Sequence, residues 1–236
     1  MKDVETPSQI PSPQYRSMLL QLIESQAYRE LMAAQAFGHA LKYVPEMKNK
    51  MMISEHITEE LEHYECTVFL YEGLDGGNVE KVIQPKLSRV PYPESWEELA
   101  MVQFLYDQAG FWHLKEYERC SYLPYRKIVG KILEEEAGHE GFGEAMLRPW
   151  CKDPRNLPRA QQLFEKWLPI ALLSFGRPKT EGNKVAIELG LKSRDSGAVM
   201  QDFLNQIKPA MRACRLKFPP PASLGIELPA YVDLAL

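Results

Sequence analysis

A glutamate and a histidine three residues apart occur twice in this chain, and this repeat constrains the fold more than any other feature. Glu60 and His63 lie in the run MMISEHITEELEHYECTVFLY, and Glu136 and His139 lie in GKILEEEAGHEGF. Residues i and i+3 of an α-helix share a face about one turn apart, so each pair can bind one ion. The repeat therefore predicts two helices that carry metal ligands, although a solvated glutamate beside an incidental histidine is the alternative for either copy alone.

The rest of the pattern indicates an all-α protein. Two helices with this motif, each opposed by a helix with one further carboxylate, form the dinuclear metal site of ferritin-like four-helix bundles. Turn signals at Pro45 and Pro124, and a proline-rich connection over 74–94, separate four helical stretches. They are predicted over 13 to about 41, from Pro45 to about 72, 95 to about 120, and from Pro124 to about 147. We expect a ferritin-like four-helix bundle with additional C-terminal helices, and a long crossover at 74–94.

The domain organisation follows from the distribution of prolines. Residues 1–12 are polar and contain two prolines, which predicts a flexible N-terminal arm. Residues 13–217 are expected to form one ferritin-like di-iron domain, and 218–236 a proline-rich tail. Ser12 before Pro13 is the expected N-cap of the first helix. Within a fifth helix at 156–175, Pro169 is expected to kink or split the run, and shorter helices are expected near 183–191 and 196–214.

The first Glu-x-x-His pair needs a carboxylate from the neighbouring antiparallel helix. Two residues at the same height lie at equal distances from the turn, so the turn at Pro45 places the partner of Glu60 near position 30. Glu30 stands there. Glu24 would be displaced by about 9 Å at about 1.5 Å per residue, which is too far to share an ion.

The same reflection applies to the second pair. A turn at 121–123 places the partner of Glu136 at 106–109, where Asp107 is the acidic residue. Asp107 lies in the apolar run MVQFLYDQAGFW, and a buried charge there would be costly without a partner or a metal. We therefore expect Asp107 to be the carboxylate opposite Glu136.

The resulting ligand set has four carboxylates and two histidines. It consists of Glu30, Glu60, His63, Asp107, Glu136 and His139. Such a set favours two iron ions, with manganese as the alternative, over zinc. Open positions on ferrous iron are what O2 activation requires. Ligand spacing does not separate an oxygenase from a ferritin-like iron-handling or peroxide-scavenging protein without an organic substrate.

Charge, cysteine usage and hydropathy exclude several other classes. A net charge of −4 argues against a broad nucleic-acid-binding surface. The four cysteines lack CxxC or CxxH spacing, so neither a zinc knot nor a redox pair is expected. The N-terminus has no signal-peptide pattern, and no run of apolar residues is long enough to cross a membrane. We expect a soluble cytoplasmic protein with reduced thiols.

The ligand motif also resembles that of a known family. The motif comprises Glu30, Glu60-Leu61-Glu62-His63, Asp107 and Glu136-Ala137-Gly138-His139. It resembles the phenylacetic acid catabolic family of ferritin-like oxygenases. Downstream, FGRP at 175–178, GLKSRDSGAVMQDFLNQIKPAM at 190–211 and the proline-rich tail are similar to the C-terminal region of that family's catalytic, monooxygenase subunit.

The resemblance implies a function and partners. In such an enzyme, two iron ions held by the six ligands activate O2, and one oxygen atom enters an aromatic ring presented as a coenzyme A thioester, by epoxidation or hydroxylation. Electrons come from a separate NAD(P)H-dependent reductase. A related, metal-free scaffold subunit or a second copy of the chain is the expected protein partner. The retained ligands indicate the catalytic member of the family.

Overall fold

The computed structural model describes residues 3–136 and 141–234, and every regular element in this part of the chain is helical. The α-helices are α1 (Pro13–Ala40), α2 (Met47–Glu72), α3 (Val79–Leu87), α4 (Trp96–Lys115), α5 (Leu123–Glu136), α6 (Phe142–Lys152), α7 (Leu157–Leu173), α8 (Glu181–Glu188) and α9 (Ser196–Ala213). An isolated parallel bridge pairs Val4 with Tyr122. The predicted all-α class is confirmed, and the helices are consistent with a ferritin-like helical bundle. None of the helices in the described ranges has the length and apolar character needed to span a membrane.

Several prolines lie inside helices. Pro85 lies inside α3, a short helix within the predicted connection over 74–94. Pro149 was expected to end a helix at about 147, but it lies inside α6, which continues to Lys152. Pro169 lies inside α7 and does not split it, and a kink there stays a prediction. A proline inside a helix costs about 3 kcal/mol locally. Burial of residues on both sides of it, such as Leu147 and Cys151 around Pro149, offsets that cost.

Contacts divide the chain into two compact units. The first comprises Met1–Trp96, Tyr117–Ile132 and Glu188–Ser193, and the second comprises Glu97–Glu116, Leu133–Ile187 and Arg194–Leu236. The predicted boundaries of a single domain over 13–217 stay a prediction.

In the first unit, α1 and α2 pack along each other in opposite directions. Near the start of α1, Arg16 Nη1 contacts Asp75 Oδ2 at 2.9 Å, just beyond the end of α2. The other end of α1 joins α2 through the 3-10 turn Leu41–Tyr43. Residues equidistant from the turn therefore lie side by side.

The Ser12 hydroxyl accepts a hydrogen bond of 3.1 Å from the Tyr15 N–H, which confirms Ser12 as the N-cap of α1.

The first residues of the chain are also held within the first unit. The Val4 N–H donates to the Ser121 carbonyl at 2.8 Å, and the Leu123 N–H donates to the Val4 carbonyl at 2.9 Å. Arg126 binds the Asp3 carboxylate through both terminal guanidinium nitrogens, at 3.0 and 2.5 Å. These contacts attach residues 3 and 4 to the start of α5.

In the second unit, one carboxylate organises the start of α9. Asp195 is the N-cap: its Oδ1 accepts the Gly197 N–H at 2.9 Å and the Tyr231 hydroxyl at 2.8 Å. Its Oδ2 accepts the Lys179 N–H at 3.0 Å and the Asn183 side-chain amide at 2.6 Å. A Cβ at position 197 would collide with the Tyr231 hydroxyl, so glycine makes room for this contact. Asp195 thus joins the loop before α8, α8, α9 and the C-terminal tail.

Contacts on either side fix the position of α4 within the second unit. The Glu98 carboxylate, 1% exposed, accepts a hydrogen bond of 2.8 Å from the Trp167 indole N–H of α7. On α6, a Cβ built at Gly143 would fall only 2.5 Å from the Phe104 Cα. The absent side chain lets α6 approach the α4 backbone. Asp107 follows Phe104 by less than one turn, so these contacts set its position.

Candidate metal centre

Three of the predicted ligands meet where α1 and α2 face each other. Glu30, Glu60 and His63 each offer one ligand atom, and these atoms lie within 4.8 Å of one another. Glu30 and His63 are 5% and 2% exposed, and Glu60 is half-buried. Glu30 Oε2 lies 3.9 Å from His63 Nδ1. This distance is too long for a hydrogen bond, but it suits two ligands that each lie about 2.1 Å from one ion.

The antiparallel geometry of α1 and α2 explains why Glu30 lies beside Glu60. The reflection about the turn at Pro45 predicted this position. Glu24, which the reflection excluded, takes another partner: its carboxylate binds the Lys86 ammonium at 2.6 Å. The two glutamates of α1 therefore have different surroundings because they lie at different heights along the helix.

Two neighbouring side chains orient the Glu30 carboxylate. The Gln26 side-chain amide donates to Glu30 Oε1. Gln26 is in turn held by Arg29, whose Nη2 donates to Gln26 Oε1 at 2.5 Å and whose Nη1 donates to Ser25 Oγ at 2.9 Å. Gln26 is 3% exposed and Arg29 9% exposed. This chain of hydrogen bonds uses Oε1, so Oε2 is the oxygen of Glu30 that faces His63.

Asp107 is buried in the second unit, as its apolar neighbours predicted. It is 7% exposed, and Gln103 Nε2 donates to both carboxylate oxygens at 2.8 and 2.9 Å. Burial raises the pKa of Asp107 to about 8, and the hydrogen bonds from Gln103 oppose this rise. A cation is the partner that would favour the charged form of such a carboxyl group.

The same arrangement thus occurs on α1 and on α4. In both helices a buried glutamine precedes a proposed ligand by four residues and donates to its carboxylate, as Gln26 does to Glu30 and Gln103 to Asp107. Residues i and i+4 are neighbours on a helix surface, so the spacing itself permits the contact. Neither glutamine was predicted to have a role, although the repeat of Gln-x-x-x-Glu and Gln-x-x-x-Asp is visible in the sequence.

The remaining two predicted ligands belong to the second Glu-x-x-His pair. Glu136 is the last residue of α5 and is 6% exposed. His139 lies outside the described residues. Binding of metal by either residue stays a prediction.

We expect Gln26→Ala to lower the affinity for ferrous iron about 10- to 100-fold, the usual effect of losing a residue that orients a metal ligand. Without Gln26, Glu30 Oε1 loses its donor and the carboxylate is free to rotate. Gln35→Ala is the matched control on the same helix, because Gln35 accepts a hydrogen bond from the Tyr92 hydroxyl at 3.1 Å. Equilibrium iron titration of both variants is the measurement. Equal affinities for the two would contradict the role given to Gln26.

A profile of the family described as phenylacetic acid catabolic protein matches residues 1–225. One curated relative is a component of the 1,2-phenylacetyl-CoA epoxidase of Escherichia coli (strain K12), and its name describes it as one of the subunits of that enzyme. It is 24% identical over 221 residues, an alignment that covers 88% of this chain and 70% of the relative.

Proposed function

Because the chain belongs to the phenylacetic acid catabolic protein family, we propose that it is a di-iron oxygenase that inserts one oxygen atom from O2 into an organic substrate. The proposed substrate is an aromatic acyl-CoA thioester, in line with the name of the Escherichia coli relative. The proposed ligands, unchanged from the sequence analysis, are Glu30, Glu60, His63, Asp107, Glu136 and His139.

The observation that carries this proposal is the cluster of Glu30, Glu60 and His63. Carboxylates and an imidazole within 4.8 Å of one another form a donor set that suits iron or manganese. Burial of the Glu30 carboxylate is costly unless a positive charge is paired with it, and a metal ion would supply that charge. The buried Asp107 adds a second carboxyl group in an apolar setting. These residues therefore fit the proposed metal.

Bound iron would supply the reduction of O2 and the transfer of one oxygen atom. The protein's own residues hold the ligands in place. Gln26 keeps one oxygen of Glu30 occupied and leaves the other for the metal. Gln103 holds both oxygens of Asp107. On α2, the Thr67 hydroxyl donates to the His63 carbonyl at 2.8 Å, which ties the two residues together on the helix.

The proposal includes partner proteins. The Escherichia coli relative is named as one of several subunits, so we propose that this chain also works within an assembly. A separate NAD(P)H-dependent reductase is the proposed electron source. A related scaffold subunit, or a second copy of the chain, is the proposed structural partner. We propose that the assembly acts in the cytoplasm.

A product assay tests the proposed reaction. Protein loaded with ferrous iron is incubated with a chemical reductant, O2 and a panel of aryl and acyl coenzyme A thioesters with their free acids. The expected result is a product heavier by one oxygen atom, with the label retained when ¹⁸O2 is used, for an aromatic thioester but not for its free acid. Iron oxidation or peroxide consumption over many turnovers without any oxygenated product would instead identify an iron-handling or peroxide-scavenging protein.

A further inference from the structure

The end of α7, the loop after it and the C-terminal tail line a cavity of about 930 Å³ in the second unit. Residues 176–180 of the loop and 225–230 of the tail line it together with side chains of α7 and α9. Sites for small organic ligands typically have volumes of about 300–1,000 Å³. The cavity is therefore large enough for such a ligand, and its lining residues indicate which kind.

Part of the lining is apolar. Leu172 of α7 and Met200 of α9 are buried, at 0% and 2% exposed, whereas Leu173, the last residue of α7, is 59% exposed. Ile226 and Leu228 of the tail are half-buried and also line the cavity. Covering exposed apolar surface favours binding, so an apolar ligand body would be stabilised against Leu173.

Two cationic side chains line the same cavity. Arg177 and Lys179 are both exposed, and within residues 3–136 and 141–234 no carboxylate forms an ion pair with either side chain. Glu227 is the acidic residue of the lining. Positive charge is therefore in excess at the cavity, which favours an anionic ligand.

The backbone holds Lys179 in place. Its φ of 56° is uncommon for a residue with a side chain, and its N–H donates to Asp195 Oδ2 at 3.0 Å. The Lys179 ammonium lies over the Tyr231 ring, 5.0 Å from the ring centroid, and the Tyr231 hydroxyl donates to Asp195 Oδ1. One carboxylate thus fixes both the loop and the tail around the cation, and such preorganisation lowers the cost of binding.

The tail is attached to α9 just beyond the cavity. The Asp233 N–H donates to Gln201 Oε1 at 2.6 Å, and Gln201 Nε2 donates to the Asp233 carbonyl at 3.3 Å. Lys208 Nζ lies 3.7 Å from Asp233 Oδ2. These contacts hold the segment that follows residues 225–230, so the tail forms a fixed part of the cavity wall.

We propose that this cavity is a binding site for a small organic carboxylate with an aryl or medium-length alkyl body. Arg177 and Lys179 bind the carboxylate, since a guanidinium matches the two oxygens of a carboxylate, and the apolar body covers Leu173. The ligand is a free acid, which distinguishes it from a thioester. The inference goes beyond the proposed oxygenase function and does not depend on it.

Displacement of a fluorescent probe tests the site. Anilinonaphthalene sulfonate is an aryl anion whose fluorescence rises in apolar surroundings. We expect it to bind the intact chain with a stoichiometry near one, and naphthaleneacetate to displace it. Naphthaleneacetamide has the same shape without the charge, so it should displace the probe at least about 10-fold less well, the usual loss when a hydrogen bond to a charged group is removed.

Variants of the two cations test how the anion is bound. Arg177→Gln and Lys179→Asn should each weaken the binding of naphthaleneacetate about 3- to 10-fold and leave that of naphthaleneacetamide unchanged. Asparagine tolerates the left-handed backbone at position 179 and keeps the N–H that Asp195 accepts. Glu227→Gln removes the negative charge of the lining and should strengthen the binding of naphthaleneacetate.

Two further variants separate the apolar and electrostatic contributions. Leu173→Gln should weaken the binding of the probe and of both naphthalene compounds, because it removes apolar surface from the cavity. Lys184→Gln is the matched control for the cations. Lys184 lies on α8 outside the cavity lining, where it pairs with Glu181 at 3.5 Å, so its replacement should leave the affinity unchanged.

Three results would overturn the proposal. The first is failure of naphthaleneacetate to displace the probe from the wild-type chain. The second is equal displacement by naphthaleneacetamide, which would show that the cavity does not select an anion. The third is a loss of affinity in Lys184→Gln as large as that in Arg177→Gln, which would show that only the overall charge of the protein matters.

Discussion

Replacing His63 by alanine is expected to abolish iron binding at the Glu30–Glu60–His63 cluster and to reduce oxygen insertion by more than about 100-fold. Losing a residue that only orients a metal ligand already lowers metal affinity or activity by up to about 100-fold, and losing the ligand itself should cost more. The imidazole is the nitrogen donor of the cluster, and its removal leaves only the two carboxylates as ligands. Alanine is the strongest helix former, so α2 itself should remain intact. Iron stoichiometry and product formation are measured on the same preparation, together with the thermal midpoint.

A second buried histidine supplies the control. His113 is 3% exposed and packs edge-on against Phe175, with ring centroids 5.9 Å apart, and it is outside the proposed ligand set. His113→Ala should lower the thermal midpoint, because it removes a packed side chain, and should retain iron. If His63→Ala behaves in the same way, destabilised but with its full iron content, then His63 is a packing residue and the proposed metal centre fails.

Replacing Gly143 by alanine is expected to destabilise the protein by about 1–3 kcal/mol, the usual cost of overpacking. The added Cβ would fall 2.5 Å from the Phe104 Cα and 2.8 Å from its Cβ, so it would meet backbone rather than the flexible end of a side chain. Either α6 or the α4 segment that carries Gln103 and Asp107 must move. We therefore expect the affinity for iron to fall along with the stability.

Gly130→Ala is the matched control for Gly143→Ala. Gly130 lies within α5, and a Cβ there meets no atom within 4 Å. Its replacement should stabilise the protein by about 0.5–1 kcal/mol, because alanine loses less backbone entropy in a helix than glycine does. Urea unfolding monitored by circular dichroism measures both variants. A stabilising Gly143→Ala would show that α6 does not need glycine in order to approach α4.

The features that the sequence predicted are those that helix geometry alone determines. The all-α class follows from the helical periodicity, and the position of Glu30 follows from the rise per residue and from the turn at Pro45. Neither requires knowledge of tertiary packing. Pro149 was misjudged as the end of a helix for the opposite reason. The cost of a proline is local, and the burial that offsets it comes from packing of the helix against other parts of the chain.

The features that could not be predicted from the sequence depend on patterns that recur in many sequences, only some of which form the contact in the folded protein. A glutamine four residues before an acidic residue is visible in the sequence, but only a buried pair such as Gln26 and Glu30 has lost its water and needs the hydrogen bond. The hydrogen bonds from Arg215 to the carbonyls of Cys151 and Lys152 depend on the left-handed conformation of Arg215 at the end of α9. No spacing in the sequence encodes that contact.

The Asp195 N-cap has a consequence for how this family can diverge. The Tyr231 hydroxyl reaches Asp195 across the position that a Cβ at Gly197 would fill. A larger residue at 197 would collide with the Tyr231 hydroxyl and break its hydrogen bond to Asp195. If residue 231 lacked the hydroxyl, a side chain at position 197 would no longer meet it. We therefore expect positions 195, 197 and 231 to vary together among relatives, as one inherited unit. Chains that lose the tail should also accept a side chain at position 197.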